Sequence, residues 1–193
     1  MEKKSKEKLE DLQDNLIKLH KKLRSEKNAE WDRILPFDEL LFDRWEKAKF
    51  VNAKKNASIY HNSYIAGDVK IGKNTWIGPM TVLDGSGGTL KIGNYCSISN
   101  GVMIYTHNTV NWALSGGKIE KETKSTTIGN NCYIGPYAVI NKDVKIGNCC
   151  VIGALSYVNS NIPSNSIAVG CPAKVIGKIK IKGKKISYDY FEK

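Results

Sequence analysis

At 193 residues with 41% hydrophobic side chains, the chain is long enough for one cored domain and a small appendage, and no apolar run approaches the ~20 residues that span a bilayer. The formal net charge is +11, unevenly spread: residues 1–50 hold 13 basic and 12 acidic side chains, residues 51–193 hold 17 and 7. A basic body suits a polyanion. With no nucleic-acid motif and no platform of interleaved aromatics, a small polyanion such as a phosphorylated cofactor is expected rather than nucleic acid. The first ten residues, MEKKSKEKLE, lack the apolar centre of a signal peptide. The 5 cysteines are an odd number with no CxxC, which suits reduced thiols in a cytoplasmic protein.

Leu9, Leu12, Leu16, Leu19 and Leu23 alternate by three and four and form one stripe of a helix. Two heptads are too few to stand alone, so the stripe should dock on the body or on its copies, with His20 solvated beside it. A cluster of large residues follows, from Trp31 to Phe50. Pro36 interrupts it, and Asp38 is placed to cap a second helix running to about Lys49. We assign this cluster the task of covering the open end of what comes next, Trp45 being the residue that could instead meet an acceptor.

From Ile59 the aliphatic residues recur every six: Ile65, Ile71, Ile77 and Leu83, then, after a break across DGSGGTLK, Ile92, Ile98, Ile104 and Val110. The regular part is Ile128, Ile134, Ile140, Ile146, Ile152 and Val158. Glycine follows four of the first five, and a small or β-branched residue (Cys132, Ala138, Val144, Cys150, Ser156) comes four positions on. A period of six fits neither helix nor plain strand alternation. It is the signature of a hexapeptide β-helix, in which the aliphatic fills the interior, the small residue makes room at the corner, and glycine or asparagine takes the turn. Val110 and Ile128 are separated by a whole coil's worth of chain, but its in-phase residues are Gly116 and Glu122, and a buried glutamate would be costly. Residues 108–125 are therefore read as an excursion, and long loops in compact folds are usually functional. Pro163 and Pro172 are expected to stop regular strands after Val158, and the tail IKIKGKKISYDYFEK is left as an edge strand or a free end. The organisation expected is an N-terminal helical segment over 1–50, the β-helix over 51–177 and a basic tail over 178–193.

The hexads, the histidine-bearing VMIYTHNTV ahead of the excursion and the closing AVGCPAKVI together resemble the hexapeptide-repeat acyltransferases, nearest the sugar and galactoside O-acetyltransferases of surface-polysaccharide type. The resemblance covers about Ile59 to Gly177. It implies a mainly β chain built as a left-handed parallel β-helix, a homotrimer with active sites between subunits, and transfer of an acetyl group from acetyl-CoA to a hydroxyl of a sugar or glycan acceptor, with no metal. Handedness comes from the resemblance alone, since parallel crossovers generally favour the right hand.

His107 is the residue this chemistry needs. An imidazole with an ordinary pKa near ~6.5 can take the proton of a weakly nucleophilic hydroxyl and later return it to the leaving thiolate, and the family's base corresponds to it. The alternative is a satisfied structural histidine. The family's oxyanion donor falls at Pro136, which has no N–H, so Gly135 or another subunit would have to serve. By resemblance Ala154 contacts the pantetheine arm of CoA and Asn159 is a polar cofactor contact. Lys174 and Lys178 are placed for the phosphates, although Ala154 as a plain corner residue and Lys174 as a solvated charge remain open. Asp84 either binds acceptor hydroxyls, orients the imidazole, or is only an Asp-Gly turn. Trp112 offers a face to a sugar ring or adenine, or anchors its loop. His61 is read as a surface residue.

Rival readings are an N-acyltransferase acting on an amino sugar or nucleotide sugar, a non-catalytic repeat scaffold, and a γ-type carbonic anhydrase. The last needs three converging histidines, and of His20, His61 and His107 the first lies outside the repeat. A weak peripheral contact of residues 178–185 with anionic membrane is also expected.

Overall fold

The computed structural model describes residues 2–191, with side chains from residue 8, and divides between Asp43 and Arg44 into two compact units. The first unit holds helices α1 (Glu2–Trp31) and α2 (Phe37–Leu41). Leu9, Leu12, Leu16 and Leu19 stay exposed in the single chain. His20 is not simply solvated: Arg24 Nη2 lies 2.9 Å from its Nε2, and its ring is 4.9 Å from that of Phe37. The second helix expected here is two short ones. α2 begins after Pro36, with Asp38 in its first turn rather than at the cap, and extended Phe42 ends it; α3 (Arg44–Phe50) follows.

The second unit is a parallel β-solenoid with three walls, the architecture of the hexapeptide-repeat left-handed β-helix. In the first wall Ser58–Ile59, Trp76–Ile77, Ser97–Ile98, Tyr133–Ile134, Val151–Ile152 and the strand Ser166–Gly170 stack in register. The second wall stacks Ile65, Leu83, Ile104, Ile140 and Val158. The third stacks Ile71, Ile92, Ile128 and Ile146, with Ile162 bridged on top. Pairing in register places aliphatic on aliphatic, and Ile59, Ile77, Leu83, Ile98, Ile134 and Ile152 are fully buried. Each such side chain contributes about 1.5–3 kcal/mol. Cys96, Cys132 and Cys150 are unpaired thiols at the small inward position, their Sγ atoms 3.0–3.1 Å from the carbonyls of Gly129, Gly147 and Pro163.

Three expectations are corrected. The glycines after the aliphatics do not make the turns. Positive φ falls three residues after the aliphatic, at Asn131, Tyr137, Asp143, Cys149 and Leu155. The glycine is required because stacked coils leave no room for a side chain: a Cβ on Gly135 would lie 2.5 Å from the Ala154 nitrogen. The end of the solenoid is covered by small residues. Ala48 is buried, with Val51 and Ala53 packed against the core, while within the same unit Trp45 and Phe50 remain exposed, since only a small side chain lets a helix approach so closely. Finally, strands continue past Pro163 and Pro172. The turn containing the cis Cys171–Pro172 bond joins Ser166–Gly170 to the antiparallel strand Ala173–Lys182, which pairs in turn with Lys185–Tyr190. Among the described residues no helix is long and apolar enough to cross a membrane.

Candidate active site

The period breaks twice on the edge between the second and third walls, and the two breaks meet. In the first, Gly67 pairs with Gly85 but Val69 pairs with Leu90. The longer spacing from Leu83 to Ile92 is therefore a bulge spanning Ser86–Thr89, and Leu90, unread in the sequence, fills the interior, fully buried. In the second, His107 occupies the place three residues after Ile104 where a regular turn would have positive φ. Instead it is extended and pairs antiparallel with Thr123, as Asn108 does with Glu122. Val110 is thus not an interior residue: it opens helix α4 (Val110–Leu114) and is exposed, because the chain has already left the coil at His107.

The bulge presses against the histidine. His107 Nδ1 lies 3.5 Å from Asp84 Oδ2 and 3.3 Å from Ser86 Oγ. The Ser86 N–H donates to Asp84 Oδ1 at 2.9 Å. Thr106 Oγ1 donates to the Asp84 carbonyl at 2.8 Å and accepts from the Gly87 N–H at 2.9 Å. A Cβ on Gly87 would fall 2.4 Å from the Thr106 carbonyl oxygen and 2.5 Å from His107 Cβ, so this glycine is what lets the bulge lie under the histidine. An acceptor-only carboxylate facing Nδ1 favours the tautomer with its proton there, leaving the Nε2 lone pair free.

The excursion is clamped at its base. Glu122 accepts from Lys142 Nζ at 2.6 Å, Asn111 Nδ2 at 2.6 Å and Asn108 Nδ2 at 3.4 Å. The hydrogen bond from Lys142 and its charge, with help from Asn108, hold the Glu122 carboxyl below the ordinary glutamate range. Thr106 and Lys142 had no signal of their own in the sequence, Ser86 and Gly87 lay within the break across DGSGGTLK, and Glu122 was visible as a charge at an interior phase. Trp112 lies in α4, half exposed, with its carbonyl accepting from Gly117 N–H at 2.8 Å and its indole 3.6 Å from where a Gly117 Cβ would be.

The remaining sequence-derived residues lie elsewhere. Gly135 and Ala154 stack on the edge between the first and second walls. The Gly135 N–H donates to the Ile152 carbonyl at 2.8 Å, so it is not available as an oxyanion donor. Lys174 is exposed opposite Val169, and Val169 packs over Gly153 beside Ala154. Lys178 is not a partner of Lys174: its ammonium donates to Ser166 Oγ at 3.1 Å, a fully buried hydroxyl. Asn159 follows Val158 and so shares the edge of His107, two rungs away, about 10 Å at ordinary strand spacing. The Lys47 ammonium reaches the carbonyls of Tyr60, His61 and Ser63, tying the His61 turn to α3. Within one chain, then, His107 and Asp84 meet on one edge, while Ala154 and Lys174 share another, across the second wall.

The family model for the bacterial transferase hexapeptide (six repeats) matches residues 125–160. Among solved structures, the chain is similar to a galactoside acetyltransferase in complex with coenzyme A, 29% identical over 69% of this chain and 70% of that one, with TM-score 0.57. It is similar to the polySia-specific acetyltransferase NeuO, 28% identical over 67% and 65%, TM-score 0.52. A hexapeptide-repeat acetyltransferase of Vibrio cholerae O1 biovar eltor, complexed with acetyl coenzyme A, shares the fold at 21% identity over 87% and 89%, TM-score 0.61. Residues 125–160 thus carry the repeat of the bacterial transferase hexapeptide. The resemblance to hexapeptide-repeat acetyltransferases read from the sequence holds.

Proposed function

We propose that the protein is an acyltransferase that moves an acetyl group from acetyl-CoA to a hydroxyl of a sugar or glycan intermediate. His107 is the general base and Asp84 the residue that positions it. The observation carrying this reading is the His107 imidazole, its Nδ1 faced by Asp84 Oδ2 at 3.5 Å and Ser86 Oγ at 3.3 Å, at the one edge where both breaks in the repeat coincide. The likeness to a galactoside acetyltransferase bound to coenzyme A and to a polySia-specific acetyltransferase supports a CoA thioester donor and a carbohydrate acceptor.

In this mechanism the acceptor hydroxyl gives its proton to His107 Nε2 as its oxygen attacks the thioester carbonyl. Asp84 holds the ring from the Nδ1 side. The tetrahedral intermediate then collapses, and the same proton goes to the departing CoA thiolate. Positioned general-base catalysis is worth roughly 10²–10⁴-fold. The donor arm gripped by Ala154 and Lys174 lies on a different edge from His107, so the complete site draws on two copies of the chain, as in a homotrimer. The reduced cysteines fit a cytoplasmic setting.

The test is release of CoA thiol from acetyl-CoA across a panel of sugars and amino sugars. His107→Ala should lower transfer by roughly 10² or more, and Asp84→Asn by about tenfold, with the KM for acetyl-CoA little changed. Transfer unaltered by His107→Ala would falsify the mechanism, and acylation of amines alone would turn the reading to an N-acyltransferase.

A further inference from the structure

The outward residues of the three walls differ sharply. On the first wall they are Ser58, Trp76, Ser97, Tyr133 and Val151, and on the second Tyr64, Val82, Met103, Val139 and Tyr157, none of them charged. On the third they are Lys70, Lys91, Thr127 and Lys145, stacked in register. This wall borders a concavity of about 890 Å³ lined in part by Lys54, Lys70 and Lys91.

Its far side is a ladder of Asn94, Asn130 and Asn148. The Oδ1 of each accepts a backbone N–H from the coil before, at 2.9, 2.8 and 2.7 Å, which turns the amide NH₂ to the other side as a donor. Among the described residues the single acid in the lining is Asp68. Its Oδ2 already accepts from the Thr89 hydroxyl at 2.6 Å and lies 3.5 Å from Lys70 Nζ, and the Thr89 bond, then Lys70, hold that carboxyl below its usual range. With Asp68 so engaged, the groove offers mainly donors: the Lys54 and Lys91 ammoniums, the Lys70 ammonium beside Asp68, and the asparagine amides. Among the described residues no aromatic side chain lines it, so they offer no stacking platform for bases.

We propose that this groove binds an acidic glycan, with carboxylates on Lys54, Lys70 and Lys91 and hydroxyls on the asparagine amides. Rungs lie about 4.8 Å apart and in register, so an extended chain running along the solenoid axis sets successive carboxylates against successive rungs. The groove reaches Gly67 and Asp68, and Gly67 pairs with Gly85, the residue after Asp84. A glycan held there presents a hydroxyl toward the edge occupied by His107. The inference rests on the transferase reading and names the acceptor class for it.

Binding of an oligogalacturonate by the full chain is compared with that of a neutral maltooligosaccharide and a single-stranded oligodeoxynucleotide of equal charge, at low and physiological salt. The uronate should bind best, weaken with salt, and lose roughly tenfold in affinity in Lys54→Gln/Lys70→Gln/Lys91→Gln. Lys91→Glu alone should weaken it in the same direction, and His107→Ala should bind as the parent does. Equal binding of the neutral oligomer, tighter binding of the oligonucleotide, or indifference to both lysine variants overturns the proposal. Loss of transfer without loss of uronate binding in His107→Ala supports both readings. Retained transfer in that variant sinks the transferase mechanism while leaving the groove result standing.

Discussion

His107 differs from its counterparts along the solenoid in backbone as much as in chemistry. Its equivalents Asn131, Tyr137, Asp143, Cys149 and Leu155 turn with positive φ, whereas His107 pairs as a strand with Thr123. That extended backbone, together with Gly87 beneath it, sets the ring beside Asp84. Gly87→Ala should therefore act through position: a Cβ 2.5 Å from His107 Cβ forces the two strands apart. A misplacement of about 1 Å costs roughly 10² in rate. We expect that loss in turnover with a far smaller change in melting temperature, measured by transfer assay and thermal unfolding side by side. Equal rate in variant and parent would show that the bulge has no part in positioning.

At the scale of elements, the excursion is a clamped loop. Glu122 joins the strand beside His107 to Lys142 on the next coil and gathers Asn108 and Asn111. Glu122→Gln should leave the solenoid folded yet raise hydrogen exchange severalfold in 107–123 and lower turnover. Because the folded carboxyl titrates below its ordinary value, the clamp is complete above the unfolded pKa of about 4.3. It is lost as pH falls through the depressed value. Proteolysis within 108–125 should accordingly accelerate only under acid conditions, and cleavage that rises near neutral pH would contradict the assignment. The excursion itself was legible from Gly116 and Glu122 at interior phase. Its start was not, because Val110 falls in phase by coincidence and hydrophobic period cannot distinguish an interior valine from one on an exposed helix.

For the molecule as a whole, the division of residues between edges carries a consequence. His107 and Asp84 lie across the second wall from Ala154 and Lys174. If the reaction draws the first pair from one copy and the second from its neighbour, two defective chains can complement. His107→Ala and Ala154→Trp should each be inactive alone. Co-expressed, they should recover a measurable fraction of turnover, with the mixed assembly seen by native mass spectrometry. No recovery from a confirmed mixture would place the whole site within one chain.

The amino-acid sequence determined the architecture because a six-residue period is local: each aliphatic, each small corner residue and each glycine answers to the coil directly above or below it. It also marked His107 and Asp84, since both stand where that period fails. Which failures meet was decided only by stacking. The bulge at Ser86–Thr89 and the departure at His107 are far apart in the chain, and they touch because the second wall sets Leu83 on Ile104. The same stacking engaged the Gly135 N–H within the wall and turned Lys178 inward to Ser166. It also aligned Lys70, Lys91 and Lys145, scattered in the sequence, on a single face. Periodicity reports what each residue does within its own coil, while partners between coils follow from register, which insertions of unequal length reset.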